Sequence, residues 1–515
     1  MFVQRVRPAE LIDLLAAESY DPALMAYCEF TKDSPKLAEF ITDKARLGVT
    51  GTIANAYVSA ETSSAIPYLT TKQVDGLYAH LDGCKYITPE ADADWSHCRV
   101  PDGAIVLNKS GNVGAAAIVA CAPYAYVNTV SDLINIRPRQ PRGGGPGRAI
   151  DGGYLVVFLN SPYGQSQLQR LSGGAVFDHV SLHAVPEIHI HEPKPLAQRY
   201  IGDKVRQAEQ LRERARRLEH DAAAFFELTE WIQPRAGHRR SYVADRRTMR
   251  GERLDAPYYD PAHDALEDVL QSRGAVRLSQ VASLVDDRWN RVDREFAYFE
   301  IGELDIASGV LAPSRLQVAA APSRAQIRVE PWDVLISTVR PNRKNVGLVP
   351  VSDEPIAMVA STGFAVLRFS TPEYAVFFHA FLRSDAATQQ LMRWNSGATY
   401  PAIEGDVPLR VLAPTFDDMV VQQNGTRWLK KFKALDVSAR LTIASTLLVE
   451  SLINGQISEA DLQAAQLALE SGDRAPDKAI LLALRSGTAA DAQPLIPDLD
   501  GLYALLDELD AENEP

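Results

Sequence analysis

Short motifs from the first half of the chain recur in the second half in the same order, and this repetition constrains the fold more than any other feature. The offsets between paired motifs lie between 222 and 239 residues. The pairs are Tyr20–Ala23 with Tyr259–Ala262, Tyr68–Asp75 with Tyr298–Asp305, Asn112–Gly114 with Asn345–Gly347, Leu133–Arg137 with Phe364–Arg368, Ser172–Gly173 with Ser396–Gly397, and Val185–Pro186 with Val407–Pro408. Collinear matches with a narrow range of offsets are typical of two copies of one fold whose loops have diverged in length.

Each copy combines short strands with helices. Gly103–Leu107 and Asp333–Ser337 are rich in β-branched and aliphatic residues and predict strands, followed by polar, glycine-containing loops. Gln165–Leu171 and Thr388–Met392 are rich in glutamine and predict helices. Strands mixed with a few helices indicate an α+β domain.

A long helical pattern follows each copy, in residues 196–232 and 416–457. A helix of the first length spans about 50 Å. The second pattern is weaker because Asn424-Gly425 interrupts its start. The apolar positions recur at steps of three and four, as in a coiled coil: Ile201, Val205, Ala208, Leu211, Ala215, Leu218, Ala222 and Phe225 in the first, and Leu441, Ala444, Leu448 and Leu452 in the second. Either the two helices pack on each other, or each packs on its own domain.

The net charge of −13 is unevenly distributed along the chain. Residues 456–515 hold 13 acidic and 3 basic side chains, a net charge of −10, which leaves −3 for the rest. Residues 235–253 hold seven arginines against Asp245 and Glu252, a net charge of +5. Nucleic-acid binding needs a local positive surface and not a positive total, so the acidic balance does not exclude it. The alternative for the basic run is a solvated linker.

Composition predicts a cytoplasmic protein. The first 20 residues intersperse charged side chains among apolar ones, unlike a secretory signal. The apolar run Ala115–Pro123 is well short of the ~20 residues that a membrane span needs. Four cysteines in 515 residues do not make a disulfide framework.

Four segments of the second half carry a family resemblance: Tyr258–Pro261, Trp332–Asn342, Ser396–Ile403 and Leu452–Ile457. With the order of domain, helix, domain, helix, they resemble the specificity subunit of type I restriction–modification enzymes. The resemblance covers residues 15–457. The first copy departs from the pattern in its late loop, Ser172–Asp178, which lacks the Thr-Tyr-Pro of Thr399–Pro401.

The resemblance implies two tandem target-recognition domains, each followed by a long spacer helix. It divides the chain into a first domain (1–195), a spacer helix (196–232), a second domain (233–415) that begins with the basic linker 233–253, a second spacer helix (416–457) and an acidic tail (458–515). Each domain of the family reads one half of a bipartite double-stranded DNA site, and the helices measure the gap. Methyltransferase subunits and restriction–translocase subunits are the implied partners. S-adenosylmethionine, ATP and magnesium are expected in those partners and no cofactor in this chain.

The candidate DNA-binding residues lie in the loops that follow the two central strands and in the late loop of the second copy. The arginines and Lys344 suit phosphates, arginine also suits guanine, and asparagine suits adenine. The alternative for each residue is an ordinary surface side chain or turn former, as in Asn112-Val113-Gly114. The candidates are Lys109, Ser110 and Asn112 in the first copy and Thr338, Arg340, Asn342, Arg343, Lys344, Thr399 and Tyr400 in the second.

Three other functions receive less support from the sequence. Asn160-Ser161-Pro162-Tyr163 resembles the Asn-Pro-Pro-Tyr loop of adenine methyltransferases, but no strand precedes the Gly-rich stretch Gly143–Gly147 as a methyl-donor site requires. A strand end turning into the helix at Gln165 is the preferred interpretation of this motif.

His189 and His191 alternate and would share a strand face, yet no cysteine pair supports a metal site. A stand-alone DNA-binding adaptor of another phage-defence complex remains the alternative to a specificity subunit.

Overall fold

The computed structural model describes residues 11–12, 17–51, 53–140, 147–173, 179–229, 253, 255–352, 356–396, 400–485 and 493–513. The chain divides into two compact units. Unit 1 comprises Met1–Leu211 and Val437–Pro515, and unit 2 comprises Arg212–Asp436. Unit 1 therefore holds the first copy and the acidic tail, and unit 2 holds the second copy. The basic run, apart from Arg253, lies outside the described residues.

The first copy contains four helices and twelve short strands among its described residues. The helices are α1 (Pro22–Glu29), α2 (Pro89–Asp94), α3 (Gly152–Asn160) and α4 (Pro162–Arg170). The strands are β1 (Arg46–Leu47), β2 (Tyr57–Val58), β3 (Ile66–Leu69), β4 (Tyr78–Ala79), β5 (Lys85–Ile87), β6 (Val100–Pro101), β7 (Ile105–Asn108), β8 (Ala116–Val119), β9 (Tyr126–Thr129), β10 (Leu133–Ile136), β11 (Ser172–Gly173) and β12 (His179–Val180). The long helix α5 (Pro195–Leu228) follows.

The second copy repeats most of this order of elements, although its described residues include no counterpart of α2. Its helices are α6 (Pro261–Ser272), α7 (Pro372–Leu382) and α8 (Asp385–Arg393). Its strands are β13 (Val276–Arg277), β14 (Ala282–Leu284), β15 (Glu295–Phe299), β16 (Leu304–Asp305), β17 (Val310–Leu311), β18 (Ser314–Gln317), β19 (Ala325–Arg328), β20 (Val334–Ser337), β21 (Val346–Leu348), β22 (Ala357–Ser361), β23 (Phe364–Phe369) and β24 (Leu412–Ala413). The long helix α9 (Asp418–Ile453) and the tail helices α10 (Glu459–Glu470), α11 (Ala475–Ala483) and α12 (Leu499–Asn513) complete the chain.

Strand order shows that the two copies share one topology. The first copy has sheets β1-β10-β7-β8-β4 and β2-β5-β3-β9-β6, and the second has β14-β23-β20-β21-β17-β16 and β18-β15-β22-β19. The parallel pair β3–β9 recurs as β15–β22, with Tyr68 opposite Asn128 and Tyr298 opposite Val359. The predicted α+β fold with two tandem copies is therefore confirmed.

Local sequence explains why both copies begin in the same way. Asp21 caps α1 by accepting a hydrogen bond from the Ala23 amide at 2.8 Å, and Asp260 caps α6 by accepting one from the Ala262 amide at 3.0 Å. Proline at the first helical position has no amide hydrogen that a helix start would leave unpaired. The repeated Tyr-Asp-Pro-Ala motif is thus a helix start in both copies.

One of the six sequence matches is not a structural equivalence. In the hairpin β7–β8, Leu107 pairs with Ala116, and in the hairpin β20–β21, Ile336 pairs with Val346. Val346 therefore corresponds to Ala116 and not to Val113. Asn112–Gly114 lies in the loop before β8, where Gly114 takes a φ of 86°, a conformation that glycine adopts without strain.

The central strand of each copy is buried on both faces. Leu335 of β20 packs between the two sheets with Phe299 and Val366. Its neighbours Val334 and Ile336 point to the opposite face and pack with α7. Successive side chains alternate across a strand, so a strand covered on both faces must be apolar throughout. The predicted strands are confirmed as β7 and β20, whose ends position the loops described below.

The two long helices are confirmed, and the predicted seam of α5 is buried from Ile201 to Ala222. In unit 1 the Ser438 hydroxyl of α9 donates a hydrogen bond to the Ala208 carbonyl of α5 at 2.6 Å. In unit 2, the indole of Trp428 lies 5.9 Å from the ring of Phe226. The helices therefore contact each other in each unit and also pack on the adjoining copy.

The predicted interruption of the second helix is wrong, because α9 runs unbroken through Asn424-Gly425. A Cβ atom on Gly425 would lie 2.5 Å from the carbonyl oxygen of Glu373, which lies in the first turn of α7. Glycine is therefore needed for close approach of two backbones and does not end the helix.

The acidic tail folds on the first part of α5. Asp477 of α11 is fully buried and lies 2.7 Å from the Nζ atom of Lys204, whose side chain is 2% exposed. The Tyr200 and Tyr503 hydroxyls both donate hydrogen bonds to the same carboxylate. Burial, together with this carboxylate, holds the pKa of Tyr200 well above its usual value. The helix-like stretch that the sequence shows at Gly501–Leu509 lies within α12.

Candidate nucleic-acid interface

The loop after β20 is held in a strained backbone conformation. Arg340 and Lys344, on either side of a 3₁₀ turn at Pro341–Arg343, have φ of 52° and 57°. Left-handed backbone costs about 1–2 kcal/mol for a residue with a side chain. The Arg340 amide donates a hydrogen bond to the Pro401 carbonyl at 2.6 Å, which ties this loop to the late loop. The fold therefore offsets a local cost to hold this turn in one shape.

Arg340 and Tyr400 come together across these two loops. The guanidinium carbon of Arg340 lies 4.7 Å from the ring centroid of Tyr400, a cation–π contact. The Tyr400 side chain is 62% exposed. In the described part of the chain, Arg340 has no acidic partner, so its charge is available to a ligand. The arrangement presents a fixed cation and an exposed aromatic ring side by side.

The other predicted residues of this loop differ in how exposed they are and in whether they have a partner within the protein. The side chains of Asn342 and Arg343 are exposed on the 3₁₀ turn. Lys344 lies 3.0 Å from Asp385 of α8, which partly neutralises its charge. The hydroxyl of Thr338 donates a hydrogen bond to the Gly363 carbonyl at 2.9 Å, which fixes the start of the loop. Arg343 is thus free to reach a ligand, whereas Thr338 mainly supports the loop.

The three predicted residues of the first copy lie in the loop between β7 and β8. The Ser110 hydroxyl donates a hydrogen bond to the Asp132 carboxylate at 2.8 Å. Lys109 is half-buried, and Asn112 is exposed and accepts a hydrogen bond from the Ala115 amide through its carbonyl. The Ser110–Asp132 pair offers a carboxylate where the second copy has no charged group, because strand register places Gly363 at the position of Asp132.

Equivalent backbone hydrogen bonds hold the two loops. The Lys109 amide donates to the Asp132 carbonyl at 2.8 Å, and the Thr338 amide donates to the Gly363 carbonyl at 2.9 Å. The late loop closes the other side: the Val180 amide donates to the Lys109 carbonyl at 3.1 Å, as the Ile403 amide does to the Thr338 carbonyl at 2.9 Å. One scaffold therefore presents two different sets of side chains.

Asp132 is a candidate that the sequence analysis missed. A carboxylate accepts a hydrogen bond from the amino group of cytosine, so Asp132 suits base recognition as well as support of Ser110. The only sequence signal was its place just before Leu133, at the start of a repeated motif. Thr399 and residues 174–178 of the other late loop lie outside the described residues.

Asn160-Ser161-Pro162-Tyr163 has a structural role. The motif joins two helices, α3 and α4, so the predicted strand end is wrong. The Asn160 amide donates a hydrogen bond to the Ala116 carbonyl at 2.7 Å and its oxygen accepts one from the Ala116 amide at 3.1 Å. Tyr163 is buried and donates a hydrogen bond to Asn454. Because both polar atoms of the Asn160 side chain are hydrogen-bonded to the backbone at the start of β8, this side chain is not available to bind a flipped base.

The paired histidines also have local partners. The Nδ1 atom of His189 lies 2.7 Å from the Ser34 carbonyl, and the Nδ1 atom of His191 lies 3.3 Å from the Tyr154 hydroxyl. Within the ranges that the structure describes, no three His, Cys, Asp or Glu side chains are placed to share a metal ion. The described helices likewise include none with the length and hydropathy to cross a membrane.

Comparisons with known proteins give structural likenesses only. No protein-family model and no curated protein matches the chain. The chain is similar to a type I restriction–modification S subunit from M. genitalium, with a TM-score of 0.40 and 13% identity over 82% of this chain and 94% of that one. It is also similar to an HsdS subunit from Thermoanaerobacter tengcongensis (TM-score 0.27, 16% identity, 82% and 96% covered). A third similar chain comes from a structural study of complex assembly and conformational transition of the type I R-M system. Its TM-score is 0.25, with 16% identity over 87% of this chain and 96% of that one.

Proposed function

We propose that this chain is the DNA specificity subunit of a type I restriction–modification complex and has no catalytic site of its own. The observation that carries the proposal is the repeated scaffold: equivalent backbone hydrogen bonds hold two loops with different side chains. Two different readers in one chain suit a target made of two different half-sites.

The chemistry of each loop suits a different base pattern. Arg340 offers a guanidinium that fits the N7 and O6 acceptors of guanine, and Asn342 offers an amide that fits adenine. Ser110 and Asp132 offer a hydroxyl and a carboxylate, and the carboxylate fits the amino group of cytosine. Lys109, Arg343 and Lys344 supply phosphate contacts that set register on the duplex.

The proposed partners follow from the family that the sequence resembles. Methyltransferase subunits dock on the long helices and carry S-adenosylmethionine, and restriction–translocase subunits carry ATP and magnesium. The complex works on DNA in the cytoplasm. This chain determines which DNA sequence is bound, and the partner subunits catalyse methylation and cleavage.

The test is a comparison of modified bases in cells with and without this gene. The neighbouring genes are searched for a methyltransferase, the chain is co-expressed with it, and co-purification shows whether the two associate. We expect a bipartite methylated motif that disappears when this chain is deleted and returns when it is restored. Unchanged methylation after deletion would contradict the proposal. DNA binding without any associated methyltransferase would favour the stand-alone adaptor.

A further inference from the structure

A basic pocket lies at one end of the first copy, away from its reading loop. Its lining residues are Lys44, Arg46, His97, Arg99, Asn135 and Arg137. They come from β1, from β10 and from the segment before β6, which are far apart in the sequence. Asp43 also lines this pocket, so four cationic side chains face one carboxylate.

Arg99 is held rigidly by a buried carboxylate behind the pocket. Asp92 is 2% exposed and accepts hydrogen bonds from the Nε and Nη2 atoms of Arg99 at 3.1 and 2.6 Å. The Tyr126 hydroxyl and the Asn128 amide donate to the same carboxylate at 2.9 and 3.0 Å. A guanidinium fixed on one side presents its remaining donor in a set direction, which lowers the entropy cost of binding an anion.

Arg137 is positioned beside Arg99 by a second contact. Its Nη2 atom donates a hydrogen bond to the Arg99 carbonyl at 2.8 Å, and its Nη1 atom lies 3.4 Å from Asp43. Asp92 pairs with Arg99 and Asp43 with Arg137, and both arginines line the pocket with further N–H donors of their guanidinium groups. The equivalent arginine of the second copy, Arg368, is instead taken up by Asp333 and Glu330 at 2.8 and 3.0 Å. The hydrogen bond to Asp333 raises the pKa of Arg368.

Lys44 and Arg46 complete the positive surface. Both side chains are exposed, and within the described part of the chain neither has an acidic partner. Uncompensated cations beside two positioned arginines are what a phosphate group requires, because guanidinium forks pair with its oxygens and an ammonium adds charge.

We propose that the basic pocket binds a phosphate group, and that this group is a backbone phosphate of DNA. The choice of DNA as its source rests on the proposed function, whereas the phosphate chemistry rests on the pocket alone. Strand pairing places Asn135 opposite Val106, near the start of β7, whereas the reading loop follows the end of β7 at Asn108. The pocket thus anchors the duplex at one end of the strand while the loop reads bases at the other.

The test measures binding of the full chain to duplex DNA over a range of salt concentrations. The variants are Lys44→Gln and Arg46→Gln, and the matched control is Lys72→Gln, an exposed lysine outside the pocket. Each lost phosphate contact is expected to reduce the slope of log K against log salt by about 1 for every duplex sequence alike. The control keeps the wild-type slope. Circular dichroism checks that the variants, which change exposed side chains, remain folded.

A second experiment measures the binding of inorganic phosphate by calorimetry. The proteins are the wild type, the two pocket variants and the Lys72→Gln control. Saturable phosphate binding that is lost in Arg46→Gln but unaccompanied by a change in DNA slope identifies free phosphate as the ligand and overturns the DNA source. Wild-type behaviour of both variants in both experiments overturns the pocket itself. Failure of the methylation test, with both experiments positive, contradicts the specificity role and leaves the phosphate site standing.

Discussion

At the residue scale, Arg340 is the side chain whose geometry most clearly suits base recognition. Its strained backbone, its contact with Tyr400 and its lack of an acidic partner in the described chain all favour a role toward a ligand. We expect Arg340→Ala to weaken binding of the cognate duplex by about 1–3 kcal/mol and to relax one base position. Competition binding with duplexes altered at single positions measures both effects.

Two further variants separate the side chain from the backbone strain. Arg340→Gly removes the same guanidinium but adopts left-handed backbone without cost, so we expect binding as weak as in Arg340→Ala and higher thermal stability. Arg328→Ala, on an exposed position of β19, controls for the loss of one positive charge. Equal loss for all sequences would make Arg340 a phosphate contact, and no loss would remove it from the interface.

His379 is a second residue with a specific consequence. It is buried in α7, and burial, followed by the charges of Arg383 and Lys431, holds its pKa well below the usual value. As pH falls, His379 is therefore protonated near pH 6.5 in the unfolded chain but stays neutral at that pH in the native protein. Stability contributed by the neutral imidazole is present above that pH and is lost as pH falls through it.

We expect the unfolding free energy of unit 2 to decrease by up to about 1.4 kcal/mol per pH unit below pH 6.5 because of this group alone. His379→Gln should flatten that part of the profile, measured as the thermal midpoint against pH. His183→Gln, which changes an exposed imidazole, is the control and should keep the wild-type slope. A profile of His379→Gln as steep as the wild type would show that another group titrates.

At the scale of elements, the contact between the acidic tail and α5 depends on one buried ion pair. Asp477 compensates the charge of Lys204 and accepts hydrogen bonds from two tyrosines. Asp477→Ala leaves a buried ammonium without a partner, and we expect a loss of about 3–5 kcal/mol in the stability of unit 1. Chemical denaturation of the full chain measures it.

The matched control is Asp500→Ala, which removes an ion pair between Lys478 and a carboxylate that is 90% exposed. Pairs of this kind contribute less than about 1 kcal/mol. A double variant, Lys204→Met with Asp477→Leu, removes both buried charges and should recover much of the lost stability. Equal stability of Asp477→Ala and the wild type would show that the tail is not held by this pair.

Local sequence predicts the elements better than it predicts the sites. The two apolar strands and the seam of α5 were predicted from residues close in sequence, and both are confirmed. The Asn-Val-Gly match fails because turn residues recur by chemistry as well as by descent. The basic pocket was not predicted because Lys44, Arg99 and Arg137 come together only through strand pairing. The packing of the acidic tail on α5 was not predicted because the burial of Asp477 depends on its ion pair with Lys204.

At the scale of the whole molecule, the proposed function requires two readers that act on different half-sites. The reading loop of the first copy lies in unit 1 and that of the second in unit 2. The loop hydrogen bonds described above are each made within one copy. Effects of substitutions in two sites without shared partners add.

We therefore expect Ser110→Ala and Arg340→Ala to change opposite halves of the methylated motif. In the double variant the two losses in binding free energy should sum to within about 0.5 kcal/mol. Sequencing of modified bases reports which half changes, and titration of the cognate duplex reports the energies. If both single variants altered the same half, or if the double variant were no weaker than one single variant, the two loops would form one site and the chain would not read a divided target.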